Sequence, residues 1–343
     1  MSLNRKPAPS EVYVAASATV LGLLRVGPGG IIAQGAVVRS PAGTVEIGAS
    51  SALLENSVAI GTTAFPVTVG QKAVFGHRSL VIGAAVGDLS EVGNGSILMP
   101  GVRVGRRCFL GEGTVLPAGT IVPDEAVVVG RPGRTIRRAS EADLRRLADL
   151  RGGDLSLPSY LLQPHAGTLP AGATMGKLYA FRDKEPRIAP SAVLFDTAEI
   201  TGDVWIGADS LVAAGVKIIG DSHGPVRVGD RVQILENAVL HLLPDNELVI
   251  EDDVVIGPGA MIHGCRIGRG TVVEPGAIVC DFSTVGEESM VLAGCCVKQR
   301  SRFEARAILD GFPARQVGEL TAAPQLPGWA LKRSDLGTLS RRR

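Results

Sequence analysis

From residue 200 onward, aliphatic residues fall six apart, at Ile200, Ile206, Val212 and Ile218. After a short loop the spacing resumes at Val228, Ile234 and Leu240, and again at Ile250, Ile256 and Ile262. Glycine often follows, as at Gly207, Gly229, Gly257 and Gly268. The N-terminal half repeats the pattern around Ile47-Gly48, Val69-Gly70, Val86-Gly87, Val92-Gly93 and Val104-Gly105. A six-residue period is neither helical nor a simple two-residue alternation. It predicts a triangular coil in which each face is one short strand, each corner turns, and the aliphatic side chain points inward. Stacked coils would join through parallel hydrogen bonds, with glycine supplying the left-handed backbone angles at corners. A β-sandwich of short strands is the alternative, but such strict spacing in both halves argues against it. The fold class expected is therefore an all-β solenoid.

One helix interrupts the pattern. Ser140 can act as N-cap before Glu141 and Asp143, and Leu144, Leu147 and Leu150 give an apolar side ended by Gly152-Gly153. This accessory helix should lie along the outside of the coils. The chain then runs through Pro, Gly and Ser to about Gly176, which reads as a linker. A second solenoid opens at LYAFRDKEPRIAPSAVL. The expected organisation is a first domain over 1–153, a linker over 154–177 and a second domain with its tail over 178–343.

The halves are copies. Subtracting 181 places LENAVLH (235–241) over LENSVAI (54–60), IGPGAMIHG (256–264) over FGHRSLVIG (75–83), and GFPARQV (311–317) over GRPGRTI (130–136). The register holds from roughly Gly43 to Ile136, and one residue must be skipped upstream of it.

Composition narrows the function. Lys plus Arg number 35 against 34 for Asp plus Glu, and no basic stripe with interleaved aromatics is present, which excludes nucleic acid as the expected partner. Aromatics are only 4% beside 44 glycines, as a narrow interior of stacked aliphatics requires. No apolar run has signal-peptide or membrane-span length, so a cytoplasmic protein without a membrane partner is expected. Five cysteines, an odd number without a CxxC, argue against a disulfide framework or a cysteine zinc site.

Chemistry is concentrated in histidine. His165 falls in the linker and His223 in the turn GDSHGP, and both read as surface residues. His241 follows Leu240 and His263 follows Ile262, each just after an inward aliphatic. Their separation, 263 − 241 = 22, is about one coil plus a small loop, which stacks them on one face where two imidazoles can share a metal. His77 has Pro258 as its counterpart, on another corner, whereas His241 and His263 are matched by Ile60 and Ile82.

The pattern GDVWIG, then ENAVLH, then IGPGAMIHGCRIG resembles the γ-class carbonic anhydrases over nearly all of both halves. The resemblance implies two tandem left-handed parallel β-helix domains and association into a trimer of chains or a mixed ring. It also implies a zinc, iron or cobalt ion between subunits, held by histidines at the His241 and His263 columns of one and the His77 column of its neighbour. Neither half has the full triad, so only an interface joining a first half to a second half would assemble it, with a fourth position open to water. The reverse interface would hold Ile60, Ile82 and Pro258 and no metal. The family's Arg-Gly-Asp turn is split in the same way. It reads Ile219-Gly220-Asp221 in the second half and Arg39-Ser40-Pro41 in the first, so Arg39 and Asp221 are the candidate catalytic residues. Independent decay of an ancestral site is the competing explanation.

Other positions depart from the family. A glutamine expected two residues before the asparagine is Leu235, with Leu54 as its duplicate, and an asparagine-like position is Gln233. No acidic loop of the family kind follows His241. The expected activity on a small-molecule substrate is hydration of carbon dioxide. The alternatives are a hexapeptide-class acyl-CoA-dependent transferase using His241 as general base, lacking the long loop of such enzymes, and a non-catalytic assembly protein.

Overall fold

The computed structural model describes residues 11–151, 163–167, 176–221 and 224–336. The chain divides into two compact units, Met1–Ala171 with Lys332–Arg343, and Gly172–Leu331. Much of the stretch read as linker lies outside the described residues. Within it, Gln163–Gly167 pairs antiparallel with Thr19–Val26 as an edge strand. The last residues, read as the tail of the second domain, group with the first unit.

Each unit is a parallel β-solenoid. In the second, three sheets of seven, seven and eight strands form the faces, and rung-to-rung pairs are parallel until a terminal hairpin. The aliphatic period explains this. Ile200, Ile218, Leu240, Ile262, Val279 and Val297 pair one above another and are fully buried. Ile206, Val228, Ile250, Ile267 and Val285 form the ladder of the next face. Val212, Ile234, Ile256, Val273, Val291 and Leu309 form the third. Side chains alternate across a strand, so the residues before and after a ladder position lie on the outer side of the coil. That alternation sets what the outer surface presents.

The first unit is built likewise, with one face of eight strands and two faces joined into one sheet by the long strand Val37–Ile47. The copies agree in detail. Val58–Ile60 matches Val239–His241, Leu80–Ile82 matches Met261–His263, and Ala126–Gly130 with Gly133–Arg138 matches Ala307–Gly311 with Ala314–Glu319. Arg39 pairs with Ile60 in the first unit, while the strand Lys217–Gly220 runs beside Val239–His241 in the second. Ser40 still matches Gly220 at an offset of 180 and Val45 matches Val226 at 181, which places the skipped residue between positions 40 and 45. Gly22 and Gly202 occupy matched corners with φ of +85° and +78°, and a Cβ on either would stand 2.3 Å from a carbonyl oxygen of the next rung. Even a charge pair is kept in reverse: Arg107 faces Glu125, and Glu288 faces Arg306.

The helix spans Glu141–Leu150, with Ser140 and Asp143 forming a reciprocal capping box. Only Leu147 of its apolar residues is fully buried, Leu150 is exposed, and Arg151 closes the end with an ion pair to Glu91. No helix among the described residues is long and apolar enough to cross a membrane.

Leu240 touches inward neighbours on both sides, so Leu240→Ala should cost about 2–5 kcal/mol, the range for a buried leucine left as a cavity. Arg302→Ala, on an exposed strand position, should stay within about 0.5 kcal/mol. Urea unfolding of both variants checks the difference. Equal losses would contradict a single dry interior.

Candidate metal centre

The strands Val239–His241 and Met261–His263 each read outward, inward, outward, with Leu240 and Ile262 as the inward anchors. Their parallel register sets His241 directly beside His263. The rings lie edge to face with centroids 5.7 Å apart and planes at 86°. Two carboxylates frame the pair. Asp221 Oδ1 is 3.2 Å from His241 Nε2, and Asp281 Oδ2 is 3.4 Å from His263 Nδ1. Asp281 is buried, while both histidines are about one-third exposed, at 34% and 29% of their side chains. Asp221, His241 and His263 are thus brought together as one cluster in the second unit.

His77 and Arg39 are side chains of the first unit. His77 is exposed at a corner, its backbone N–H donates to Asn94 Oδ1, and its Nδ1 is 2.7 Å from Glu55 Oε2. A carboxylate that accepts from Nδ1–H leaves Nε2 with a lone pair, the arrangement metal-ligating imidazoles use. Here the carboxylates of Glu55 and Asp281 stand beside Nδ1 of His77 and His263. Arg39 is buried in the row that continues through Ile60 and Ile82. His223 and the side chain of His165 lie outside the described residues.

At the duplicate positions the first unit carries none of the side chains of the second unit's cluster. At an offset of 181, His241 faces Ile60, His263 faces Ile82, Asp281 faces Pro100, and Asn246 faces Phe65. At the offset of 180 upstream of the skip, Asp221 faces Pro41. Ile60 and Ile82 are fully buried, Pro41 and Pro100 are partly buried and Phe65 is exposed, so five polar positions of the second unit are apolar in the first.

Imidazole donors suit zinc, iron or cobalt. Among the described residues, no group of three or more His, Cys, Asp or Glu is gathered to hold a metal ion. The pair fits such an ion by donor type and falls one ligand short within its own unit. The positions flagged for orienting groups do not help. Leu235 is fully buried, and the Gln233 amide is taken up on both sides by the backbone of Leu331, at 2.8 and 2.9 Å. All five cysteines are free thiols. Cys280 stands one rung beyond His263, where burial, the neighbouring Cys296 and Asp281 push its thiol up to about 11.

Comparison with known proteins places this geometry. Residues 248–281 match the model for the bacterial transferase hexapeptide of six repeats, and residues 66–100 and 101–129 match the hexapeptide repeat of succinyl-transferase. A protein of Geobacillus kaustophilus named carbonic anhydrase is 35% identical over 144 residues, which is 42% of this chain and 79% of the relative. The chain belongs to the γ-carbonic-anhydrase-like hexapeptide-repeat family. A second family relative, carnitine operon protein CaiE of Escherichia coli, is 34% identical over 40% of this chain and 70% of its own length. A solved hexapeptide transferase family protein from Anaplasma phagocytophilum is 26% identical, with a TM-score of 0.41, over 48% of this chain and 89% of its own.

Sequence reasoning missed three residues near the candidate histidines: Asp281 and Asn246 in the second unit, and Glu55 beside His77 in the first. Asp281 and Asn246 could have been found from the duplicate columns, where a polar residue meets Pro100 and Phe65 just as the histidines meet isoleucines. Glu55 carries no such signal, since its counterpart Glu236 is also acidic.

The raised Cys280 thiol should be slow to alkylate. At pH 8, iodoacetamide should modify it about 100-fold more slowly than a free cysteine of pKa about 8.5, read by peptide mass spectrometry. A rate equal to the free thiol would contradict the burial described.

Proposed function

We propose that this protein is a γ-carbonic-anhydrase-like metalloprotein whose zinc-type centre is shared between chains, with His241 and His263 from the second unit of one and His77 from the first unit of another. The observation that carries this reading is the in-register His241–His263 pair, with His263 Nδ1 facing Asp281. His77 is prepared in the same way, with Nδ1 on Glu55. Self-association is therefore part of the function, because one unit supplies two imidazoles and not three.

The proposed reaction is hydration of carbon dioxide. A bound cation of this type would supply Lewis acidity and bring the pKa of water near 7. The chain's own residues would do the rest. His241 would offer Nε2 to the cation with its ring proton on Nδ1, leaving the Asp221 carboxylate beside the centre as a proton acceptor. Val239 and Met261 flank the histidines on the same face, half buried. They would offer a small uncharged substrate an apolar floor and keep water from crowding it.

One observation favours a second reading. The 3.2 Å contact between Asp221 and His241 Nε2 is also how a carboxylate partners a general base. In that reading His241 accepts a proton from an acyl-accepting nucleophile during transfer from an acyl-CoA thioester, without metal.

Elemental analysis separates the two. Wild-type protein purified with zinc should carry about one ion per chain, and His77→Ala and His241→Ala should each lose it. Carbon dioxide hydration by stopped-flow indicator should fall at least about 100-fold in both, the scale for losing a metal-activated water. Undiminished zinc in His77→Ala would overturn the shared centre. Saturable acetyl-CoA binding by metal-free protein, abolished in His241→Ala, would favour acyl transfer.

A further inference from the structure

The structure assigns Asp281 as the positioning residue of the histidine centre: one carboxylate oxygen faces the His263 ring while the other ties down the loop that follows His241. This inference rests on the metal reading above and gives a separate residue a separate task.

Asp281 is 4% exposed, in a place where an ionised carboxylate must be compensated. Its partners account for both oxygens. Oδ1 accepts from the backbone N–H of Leu243 at 3.2 Å and from Asn246 Nδ2 at 3.3 Å. Oδ2 faces His263 Nδ1 at 3.4 Å, a reach that shortens in loaded centres of this kind. The residues between Leu242 and Glu247 form the loop that lengthens this coil. Asn246 holds the loop in place by donating also to Gly264 O at 2.6 Å and accepting from Glu247 N–H at 2.9 Å.

Gly264 makes the arrangement possible. A Cβ there would stand 2.1 Å from Asn246 Nδ2 and 3.1 Å from Asp281 Oδ1, so any side chain after His263 would drive the loop off the carboxylate. The first unit repeats the close approach with different chemistry. A Cβ on Gly83 would stand 2.5 Å from the Cβ of Phe65, and the position of Asp281 is Pro100. The loop is therefore pinned in both copies, apolar where the histidines are gone and by a carboxylate where they remain. A purely structural tie could have kept one form in both units. The carboxylate occurs only where an imidazole needs its Nδ1 proton held.

Asp281 accordingly keeps His263 as the Nδ1–H tautomer, with Nε2 open to a cation, and fixes the height of the loop beside His241. The test reads the tautomer directly, by ring 15N shifts of His263 in full-length metal-free protein at pH 8. Wild type should show Nδ1–H. In Asp281→Asn the amide nitrogen faces the ring and donates to it, which should reverse the tautomer to Nε2–H and weaken zinc binding by about 10- to 100-fold. Asn246→Ala should leave the tautomer unchanged, and thermal unfolding of each variant shows whether the unit is intact. Nε2–H in the wild type, or Asp281→Asn with both tautomer and zinc affinity unaltered, would overturn the assignment. Should wild-type protein take up no zinc, the metal reading fails, while the tautomer still decides what Asp281 does.

Discussion

Everything on the surface of this molecule is placed by the inward aliphatic ladders. Once Leu240 and Ile262 are committed to a dry interior, strand alternation leaves no freedom for His241 and His263, which must project outward side by side. A slip of one residue in either rung would bury an imidazole and expose an isoleucine or leucine. The cost of that exchange, of the order of a few kcal/mol per ladder position, locks the pair in register. The centre inherits its geometry from hydrophobic burial, and it needs only a few polar contacts of its own.

Duplication then let two copies of the same frame separate their tasks. The ladders are interchangeable between units, because an inward aliphatic serves equally in either. The outward row is not. In one unit it reads Ile219, His241, His263, and in the other Arg39, Ile60, Ile82. The surrounding carboxylates and amide vary with it, Asp281 with Pro100 and Asn246 with Phe65. Polar clusters of this sort are stable only when complete, and an apolar replacement is stable only when equally complete. His77, with Glu55 Oε2 2.7 Å from its Nδ1, is the one proposed imidazole ligand that the first unit carries.

Much of this was legible from residue spacing alone. The six-residue period specifies the coil because each face repeats locally, and the histidines were legible because each follows a ladder residue. The capping of the helix by Ser140 and Asp143 was equally plain. Contacts made through turns and the chain end were not. Asp281 reaches His263 from the following corner, and Asn246 reaches Asp281 and the Gly264 carbonyl from a loop whose path depends on the missing Cβ of Gly264. Gln233 stands at an asparagine-like position of the strand, and its amide binds Leu331, 98 residues away, a pairing no local pattern encodes.

The central claim is that a doubled chain keeps one centre, completed by the unlike unit of another molecule. Anomalous diffraction at the zinc edge, from crystals of the full chain grown with zinc, examines it directly. One peak per chain should lie against Nε2 of His241 and His263, with a third imidazole from residue 77 of a neighbouring molecule. Zinc bound to the pair without that third imidazole, or density beside Ile60 and Ile82 instead, would contradict it.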